Sequence, residues 1–182
     1  MMIGQGFDTS HKTGKEDSVN EADILSYTGL SPPLTREDIE SMLKENYRAR
    51  ICTHNKDGTI HAAPVSYKYM NGQIVIGSIA SSRKTRNIKR NNNVTVLIDN
   101  EKGQGILVYG KAKVEYDNIY ETALSMWEKE LGTQRDKAEC FVKAYLDMVK
   151  YAIVRITPQR IVTFDQTKDE VWNNLVKNYL QE

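Results

Sequence analysis

A run of serine and basic residues in the middle of the chain, residues 81–90, has the composition of an anion-binding site. Five of the eight residues from 83 to 90 are Lys or Arg, and none is acidic. Ser81 or Ser82 is a suitable N-cap for a short helix that begins with Arg83 and Lys84. Cations in a first helical turn oppose the helix dipole, which favours anions there, so a bound phosphate would remove the conflict. A solvated basic helix face would give the same pattern, and both interpretations stay open at this point.

Other kinds of catalytic site have little support in the sequence. The three histidines, His11, His54 and His61, fall in different predicted segments, and no HExxH motif, GxSxG motif or CxxC pair is present. Cys52 and Cys140 are far apart, and we interpret them as reduced thiols of a cytoplasmic protein. We therefore expect no metal site and no nucleophilic triad.

The overall composition indicates one globular domain. The chain has 182 residues, of which 40% are hydrophobic, and its 25 basic residues nearly balance its 24 acidic residues. This balance argues against nucleic-acid binding through the charge of the whole protein. Any partner held by electrostatic attraction should therefore bind a local charged patch. The N-terminus lacks the apolar segment of a signal peptide, and no run is long enough to span a membrane. We expect a cytoplasmic protein without a membrane partner.

The polarity of the sequence changes near residue 34. Residues 1–33 are polar and mixed in charge, so we predict a flexible N-terminal arm. Residues 34–182 are predicted to form a single domain, with a helical insert at 117–150 and a helix at the C-terminus. Thr35 with Asp38 is a candidate capping box for the first helix of this domain. Thr167 with Glu170 is the corresponding candidate for the last helix.

Short strands joined by tight turns make up most of the domain. The predicted strands are 47–54, 60–70, 73–80, 93–100, 106–116 and 151–165. Asp57-Gly58 and Asn71-Gly72 provide hairpin turns, Gly110 suggests a bulge or a sharp bend, and Pro158 suggests a break in the last strand. Consecutive hairpins favour a mainly β fold, a small antiparallel barrel of about six strands with helical additions, over a doubly wound parallel sheet.

The order of these segments resembles that of a known family. The segments concerned are DGTIHAAPVSYKY (57–69), QIVIGSIASSRKTRNIKRNNNVTVLI (73–98), GILVYGKAKV (105–114) and VRITPQRIVTFD (154–165). Together they resemble the FMN-binding split β-barrel family, of which pyridoxamine 5′-phosphate oxidase is the best-known member. The resemblance implies an FMN cofactor and a homodimer with the flavin at the interface. We expect no nucleic-acid partner, because the basic helix is short and few aromatic residues interleave with it for stacking on bases.

The resemblance also implies a set of cofactor-binding positions, carried over residue by residue. These are Ala63, Pro64, Val65, Ser66 and Tyr67 beside the flavin ring, Gly77 and Ser78 on the next strand, Ser82, Arg83 and Lys84 at the phosphate, and Gln104 and Gly105 near the ring. FMN would carry the redox chemistry and the protein would bind and orient it, so the function implied is that of a flavin-dependent oxidoreductase. No catalytic side chain is identified.

Two departures from the family pattern bear on the substrate. Pyridoxamine 5′-phosphate oxidases carry an Arg on the flavin-lining strand, where IHAAPVSYK has Ala, and an Arg- and His-bearing C-terminal segment, where VWNNLVKNYLQE has neither. We therefore expect an unidentified small-molecule substrate other than pyridoxamine phosphate. The alternatives are the same barrel with a deazaflavin or haem, a flavin carrier or sensor without turnover, and a nucleic-acid module using the basic residues of 83–90.

Overall fold

The computed structural model describes residues 24–26, 32–132 and 134–180. The strands are β1 Ile24–Ser26, β2 Arg48–His54, β3 Ile60–Met70, β4 Gln73–Ile79, β5 Asn93–Asp99, β6 Gln104–Glu115 and β7 Tyr151–Asp165. The helices are α1 Arg36–Glu45, α2 Arg83–Arg90, α3 Ile119–Leu131, α4 Arg135–Met148 and α5 Glu170–Tyr179. The arm predicted for residues 1–33 lies outside the described residues except at 24–26 and 32–33. No helix within the described ranges has the length and apolar character needed to cross a membrane.

Six of the strands close into an antiparallel barrel. The strand order is β7-β4-β3-β2-β5-β6, and β6 pairs with β7 to complete the ring. The short strand β1 adds to β7 in parallel, with Ile24 opposite Ile161. The prediction of a six-stranded antiparallel barrel with helical additions is confirmed, whereas β1 was not predicted.

The barrel interior is filled by side chains that alternate along each strand. β2 and β5 bury every second residue, as strands with one face on a core do. The most deeply buried members of this core are Ile51, Ile74, Ile76, Val96, Ile98, Ile106, Val108 and Ile156. Helix α1 contributes Ile39, Met42 and Leu43 to the same core. Its predicted capping box is confirmed, because Asp38 N–H donates to Thr35 Oγ1 at 3.1 Å and Thr35 N–H donates to the Asp38 carboxylate at 3.4 Å.

A second hydrophobic cluster lies between the helical hairpin α3–α4 and strands β4 and β7. Its buried members include Val75, Leu124, Val142 and Ile153. Aromatic rings surround this cluster, with Trp127 in edge contact with Phe141, Tyr145 and Tyr151. The predicted insert thus packs on one side of the barrel, away from the core that fills it.

Strand β7 runs through Pro158 without the predicted break. The register slips at this point, because Tyr109 lies opposite Arg160 while Gly110 lies opposite Pro158. The bulge predicted at Gly110 is therefore confirmed, and the break predicted at Pro158 is wrong. A proline lacks the N–H donor of a regular ladder and is tolerated at a bulge.

The cap of the last helix is also different from the prediction. The N-cap of α5 is Asp169, whose Oδ1 accepts the Trp172 N–H at 2.9 Å. Thr167 lies in a preceding 3₁₀ turn, where its N–H and hydroxyl donate to Asp165 Oδ1 at 3.0 and 2.6 Å. The predicted Thr167–Glu170 capping box is wrong, because the Thr167 N–H and hydroxyl bond to Asp165 and Asp169 caps the helix instead.

Candidate functional site

The barrel wall opens between β3 and β4. These strands pair only over residues 67–70 of β3, opposite residues 73–76 of β4. The first half of β3 pairs with β2, and residues 74–79 of β4 pair with β7 along the other edge of β4. Over residues 60–65, no strand of the described chain pairs with the β4-facing edge of β3. Such an edge offers backbone N–H and C=O groups to a planar ligand.

A cluster of three hydroxyls joins the end of β4 to the start of α2. Ser78 Oγ lies 2.9 Å from Thr85 Oγ1 and 3.0 Å from Ser82 Oγ, and the last two are 2.9 Å apart. Ser82 is the N-cap, as predicted, and its Oγ accepts the Thr85 N–H at 3.4 Å. Thr85 also donates to the Ile79 carbonyl at 3.1 Å. The cluster fixes the first turn of α2 against the strand.

Two cations begin α2 without acidic partners. The first turn contains Arg83 and Lys84 and no acidic residue. Neither side chain forms an ion pair within the described part of the chain. Arg83 is exposed, whereas Lys84 is half-buried, and this burial lowers the pKa of its ammonium. The start of the helix therefore carries positive charge that no ion pair within the described residues neutralises, part of it withdrawn from water. Asp57 and Arg83 line the same groove, and the pKa of the Asp57 carboxyl is lowered mainly by hydrogen bonds from Thr59 and to a minor extent by Arg83.

An open groove of about 600 Å³ runs along the exposed face of α2. It is lined by Asn55, Lys56 and Asp57 of the β2–β3 turn and by Arg83, Arg86, Asn87 and Arg90 of the helix. The buried Asn87 amide joins its two walls, donating to Thr53 Oγ1 at 3.1 Å and to Asn55 Oδ1 at 3.0 Å. Arg90 in turn donates to Asn87 Oδ1 at 3.0 Å and to the His54 carbonyl. Helix and turn therefore form one fixed basic surface.

The predicted ring-lining residues alternate across the barrel wall. The set comprises Ala63, Pro64, Val65, Ser66 and Tyr67. Ala63 and Val65 pack on the barrel core, Pro64 is exposed, and Tyr67 is buried. Burial raises the pKa of Tyr67, whose hydroxyl has no hydrogen-bond partner among the described residues. The Tyr67 N–H donates to the Tyr47 carbonyl at 2.8 Å on the β2 side. On its other side Tyr67 pairs with Ile76 of β4, so this residue lies where the opening ends rather than along it.

Both predicted site glycines have an aromatic ring against them. A Cβ on Gly77 would lie 1.8 Å from Tyr151 Oη, and one on Gly105 would lie 2.1 Å from Phe164 Cζ. Packing within the chain thus requires glycine at both positions. The predicted contacts of Gly77 and Gly105 with a cofactor stay predictions.

Gln104 and Gly105 lie in β6, at the opposite end of the barrel from α2. Gly105 pairs with Asp99, the last residue of β5, whereas α2 leads into the first, Asn93. At about 3.4 Å per residue the separation along the strand is about 20 Å. Gln104 Nε2 donates to Asp165 Oδ2 at 3.0 Å. Within one chain, the structure brings Ser78, Ser82, Arg83 and Lys84 together near the open edge of β3, and does not bring Gln104 and Gly105 to them.

Three residues of this region were missed by the sequence reasoning. Thr85 belongs to the hydroxyl cluster, Asn87 joins the helix to the β2–β3 turn, and Lys56 lines the groove. The position of Thr85, three residues after the N-cap, is a signal that would have identified it. The positions of Asn87 and Lys56 in the site depend on how the β2–β3 turn packs against α2, and no local sequence pattern predicts that packing.

Comparisons with known proteins agree with this architecture. The family profile described as pyridoxamine 5′-phosphate oxidase matches residues 35–165, more than two thirds of the chain. A comparison with curated protein sequences finds no match.

Several solved structures share the fold. A conserved hypothetical protein from Mycobacterium tuberculosis gives a TM-score of 0.68 at 22% identity, over 83% of this chain and 92% of that one. A protein described as F420 reductase gives 0.54 at 19% identity, over 67% and 94%. The haem storage protein HutZ from Vibrio cholerae gives 0.54 at 13% identity, over 69% and 92%. At these identities the similarity shows the fold alone, while the profile match shows that the chain belongs to the pyridoxamine 5′-phosphate oxidase family of split β-barrel proteins.

Proposed function

We propose that this protein binds FMN at the opening between β3 and β4 and uses it for oxidoreductase chemistry on a small molecule. The observation that carries the proposal is the uncompensated charge of Arg83 and Lys84 beside the Ser78–Ser82 hydroxyls, next to an open strand edge. A phosphate group accepts hydrogen bonds from cationic side chains, hydroxyls and the backbone N–H groups at the start of a helix, and all three kinds of donor are present here. The proposed location is the cytoplasm.

The donor set suits a doubly charged phosphate. The Arg83 guanidinium would offer a planar fork of N–H donors and Lys84 a compact ammonium. Ser78 and Ser82 would add hydroxyl donors, and the free N–H groups of the first turn of α2 point in the direction an anion requires. Because burial already disfavours the charged form of Lys84, a phosphate would stabilise this ammonium more than it would stabilise a fully solvated one.

The open edge of β3 would hold the ring of the flavin. Ala63 and Val65 direct their side chains to the barrel core. The Tyr67 N–H donates to Tyr47 on the β2 side, and main-chain groups alternate between the two edges of a strand, so those of Ala62 and Pro64 face the opening while those of Ala63 and Val65 face β2. Pro64 lies between them and has no N–H to offer. When bound, FMN supplies the redox chemistry, and the residues of this chain bind it, orient it and shield one side of it.

The proposal includes a homodimer. Gln104 and Gly105, about 20 Å along β5 from α2, would reach a flavin only if they came from a second copy of the chain. Helix α5 has an exposed apolar surface suited to such a contact, since Val171, Trp172 and Leu175 are 53%, 56% and 49% exposed and the helix buries no residue.

The absorbance spectrum of the purified protein is the first test. Flavin bands, or their appearance when FMN is added to the colourless protein, would support the proposal. A protein that is colourless and does not take up FMN would contradict it, and a deazaflavin or haem spectrum would replace FMN with that group. Bleaching of the bound flavin by NADH or NADPH would separate a redox enzyme from a flavin carrier.

A double variant tests the placement of the phosphate. Arg83→Ala with Lys84→Ala should weaken FMN binding by about 3 kcal/mol or more, because each charge-assisted contact contributes about 1.5–3 kcal/mol. Lys89→Ala is the matched control, because its ammonium lies on the same helix but 5.0 Å over the Tyr116 ring. Unchanged FMN retention in the double variant would place the phosphate elsewhere.

A further inference from the structure

Lys84 is a half-buried amine without a partner in the ligand-free chain. The residues three and four positions after it, Asn87 and Ile88, are buried, so its side chain leaves α2 on the flank that faces the barrel. Its ammonium forms no hydrogen bond or ion pair with the described residues. Burial lowers the pKa of this amine, which increases the fraction of molecules in which it is neutral. A neutral amine is a nucleophile, whereas the flavin site proposed above uses only the charged form.

The groups at the start of α2 favour a negative charge close to this amine. Side chains of a helix lean toward its N-terminus, so Lys84 leans toward the cap residue Ser82. The Arg83 guanidinium belongs to the same turn, is exposed, and forms no ion pair among the described residues. The Ser82 hydroxyl, 3.0 Å from that of Ser78, is able to donate to an anion. A negative charge formed on the lysine itself would therefore be stabilised by Arg83 and Ser82.

We propose that Lys84 of the flavin-free protein reacts with carbon dioxide to form a carbamate that pairs with Arg83. The nitrogen lone pair attacks the carbon of carbon dioxide, a C–N bond forms, and one C=O electron pair moves onto oxygen. The nitrogen then loses one proton to water, so the product is N–COO⁻ and no oxidant or reductant takes part. The first turn of α2, which contains Arg83 and Lys84 and no acidic residue, thereby acquires its own counter-ion.

The reaction opposes flavin binding. The Lys84 ammonium is one of the proposed contacts of the FMN phosphate, and the carbamate replaces its attractive charge with a repulsive one. Carbon dioxide and FMN therefore compete for the same side chain, and the flavin content of the protein depends on the concentration of both. This competition rests on the proposed function, whereas the carbamate itself requires only the side chains at the start of α2.

NMR spectroscopy of the full-length flavin-free protein, equilibrated with carbon-labelled bicarbonate at neutral pH, tests the proposal. A carbamate signal should appear, and alkylation of the carbamate followed by mass spectrometry of peptides should place it on Lys84. Lys84 should carry at least about tenfold more carbamate than Lys89, an exposed lysine of the same helix, which is the effect of one charge-assisted contact on the product. Lys84→Arg should abolish the signal while keeping the charge, and Lys89→Arg should leave it unchanged. Arg83→Gln should reduce it about tenfold, and Arg83→Lys should retain part of it.

The outcomes separate this proposal from that of the flavin site. No carbamate on Lys84, as much carbamate on Lys89, or a signal that Arg83→Gln leaves unchanged would overturn it, even if FMN binds. A carbamate on Lys84 in a protein that does not bind FMN would support it and contradict the proposed function. Saturation with FMN should remove the carbamate, and a carbamate that persists there would overturn the competition. The peptide assignment uses the wild-type protein, so it does not depend on the folding of a variant, and thermal unfolding checks each variant.

Discussion

Replacement of Lys84 by methionine should weaken FMN binding and stabilise the ligand-free protein. Lys84 is half-buried, it forms no ion pair among the described residues, and burial lowers its pKa. A desolvated and unpaired ammonium opposes folding when no anion is bound. Methionine keeps most of the apolar stem of lysine and removes the charge. The same cation should therefore act against stability in the apoprotein and in favour of affinity in the complex.

The two effects differ in size and in pH dependence. Loss of one charge-assisted phosphate contact, about 1.5–3 kcal/mol, should weaken FMN binding about 10- to 150-fold. Because the pKa of Lys84 is lower in the folded protein than the ordinary 10.5, the unfolded chain binds more protons between these two values. The stability of the wild-type apoprotein should then rise with pH through this interval as the cost of the buried charge disappears, and it should not change through Lys84 above 10.5. This contribution should be absent in Lys84→Met.

Thermal unfolding and titration with FMN measure both effects on the same samples. The expected result is a higher melting temperature without ligand, a smaller gain of stability on adding FMN, and a flatter alkaline pH profile than in the wild type. Lys89→Met is the control, since Lys89 is an exposed cation of the same helix over the Tyr116 ring. A less stable apoprotein with unchanged FMN affinity would refute the reasoning, because Lys84 would then have a structural role and no part in anion binding.

Three further mutational experiments test packing and assembly. Tyr67→Phe should raise the free energy of unfolding by about 1 kcal/mol, because it removes a buried hydroxyl with no partner among the described residues; a loss of stability in chemical denaturation would show that the hydroxyl does have one. Gly77→Ala should cost about 1–3 kcal/mol of stability, because its Cβ would lie 1.8 Å from Tyr151 Oη. Adding Tyr151→Phe should recover part of that loss, and strict additivity of the two changes would contradict the proposed clash. Trp172→Glu with Leu175→Glu, on the exposed face of α5, should convert the proposed dimer to a monomer with weakened FMN binding in sedimentation experiments, whereas a dimer that persists would exclude α5 from the interface.

Elements governed by local interactions were predictable from the sequence. Asn71 and Gly72 both adopt positive φ, 52° and 73°, as the Asn-Gly pair of a tight hairpin requires. The Thr35–Asp38 box and the Ser82 N-cap depend on residues three positions apart. In each case the physical cause lies within a few residues, so the pattern determines the structure.

Features that depend on distant contacts were not predictable in the same way. The opening in the barrel exists because the pairing of β4 with β3 stops at Ile76 and Tyr67, while β4 continues along β7 on its other edge to Ile79. Where such a pairing stops depends on both strands, so no single strand sequence specifies it. The cap of α5 shows the same limit at short range. Thr167 had the right spacing for the N-cap, but Asp165 accepts its N–H and hydroxyl, and Asp169 caps the helix instead.

The basic side chains of α2 lie on different faces of the helix and have different surroundings. Thr85, Asn87 and Ile88 are the buried side of the helix. The three arginines follow one another at intervals of three and four residues, and all of them line the groove, which is the face a helix gives to such spacing. The two lysines fall outside that face, one half-buried at the first turn and the other over an aromatic ring. Arginine offers a planar fork of donors and lysine a point charge. Arg86 and Arg90 use part of that fork to bond the Ser81 and His54 carbonyls and fix the helix to the chain, whereas Arg83 and Lys84 at the first turn form no ion pair among the described residues.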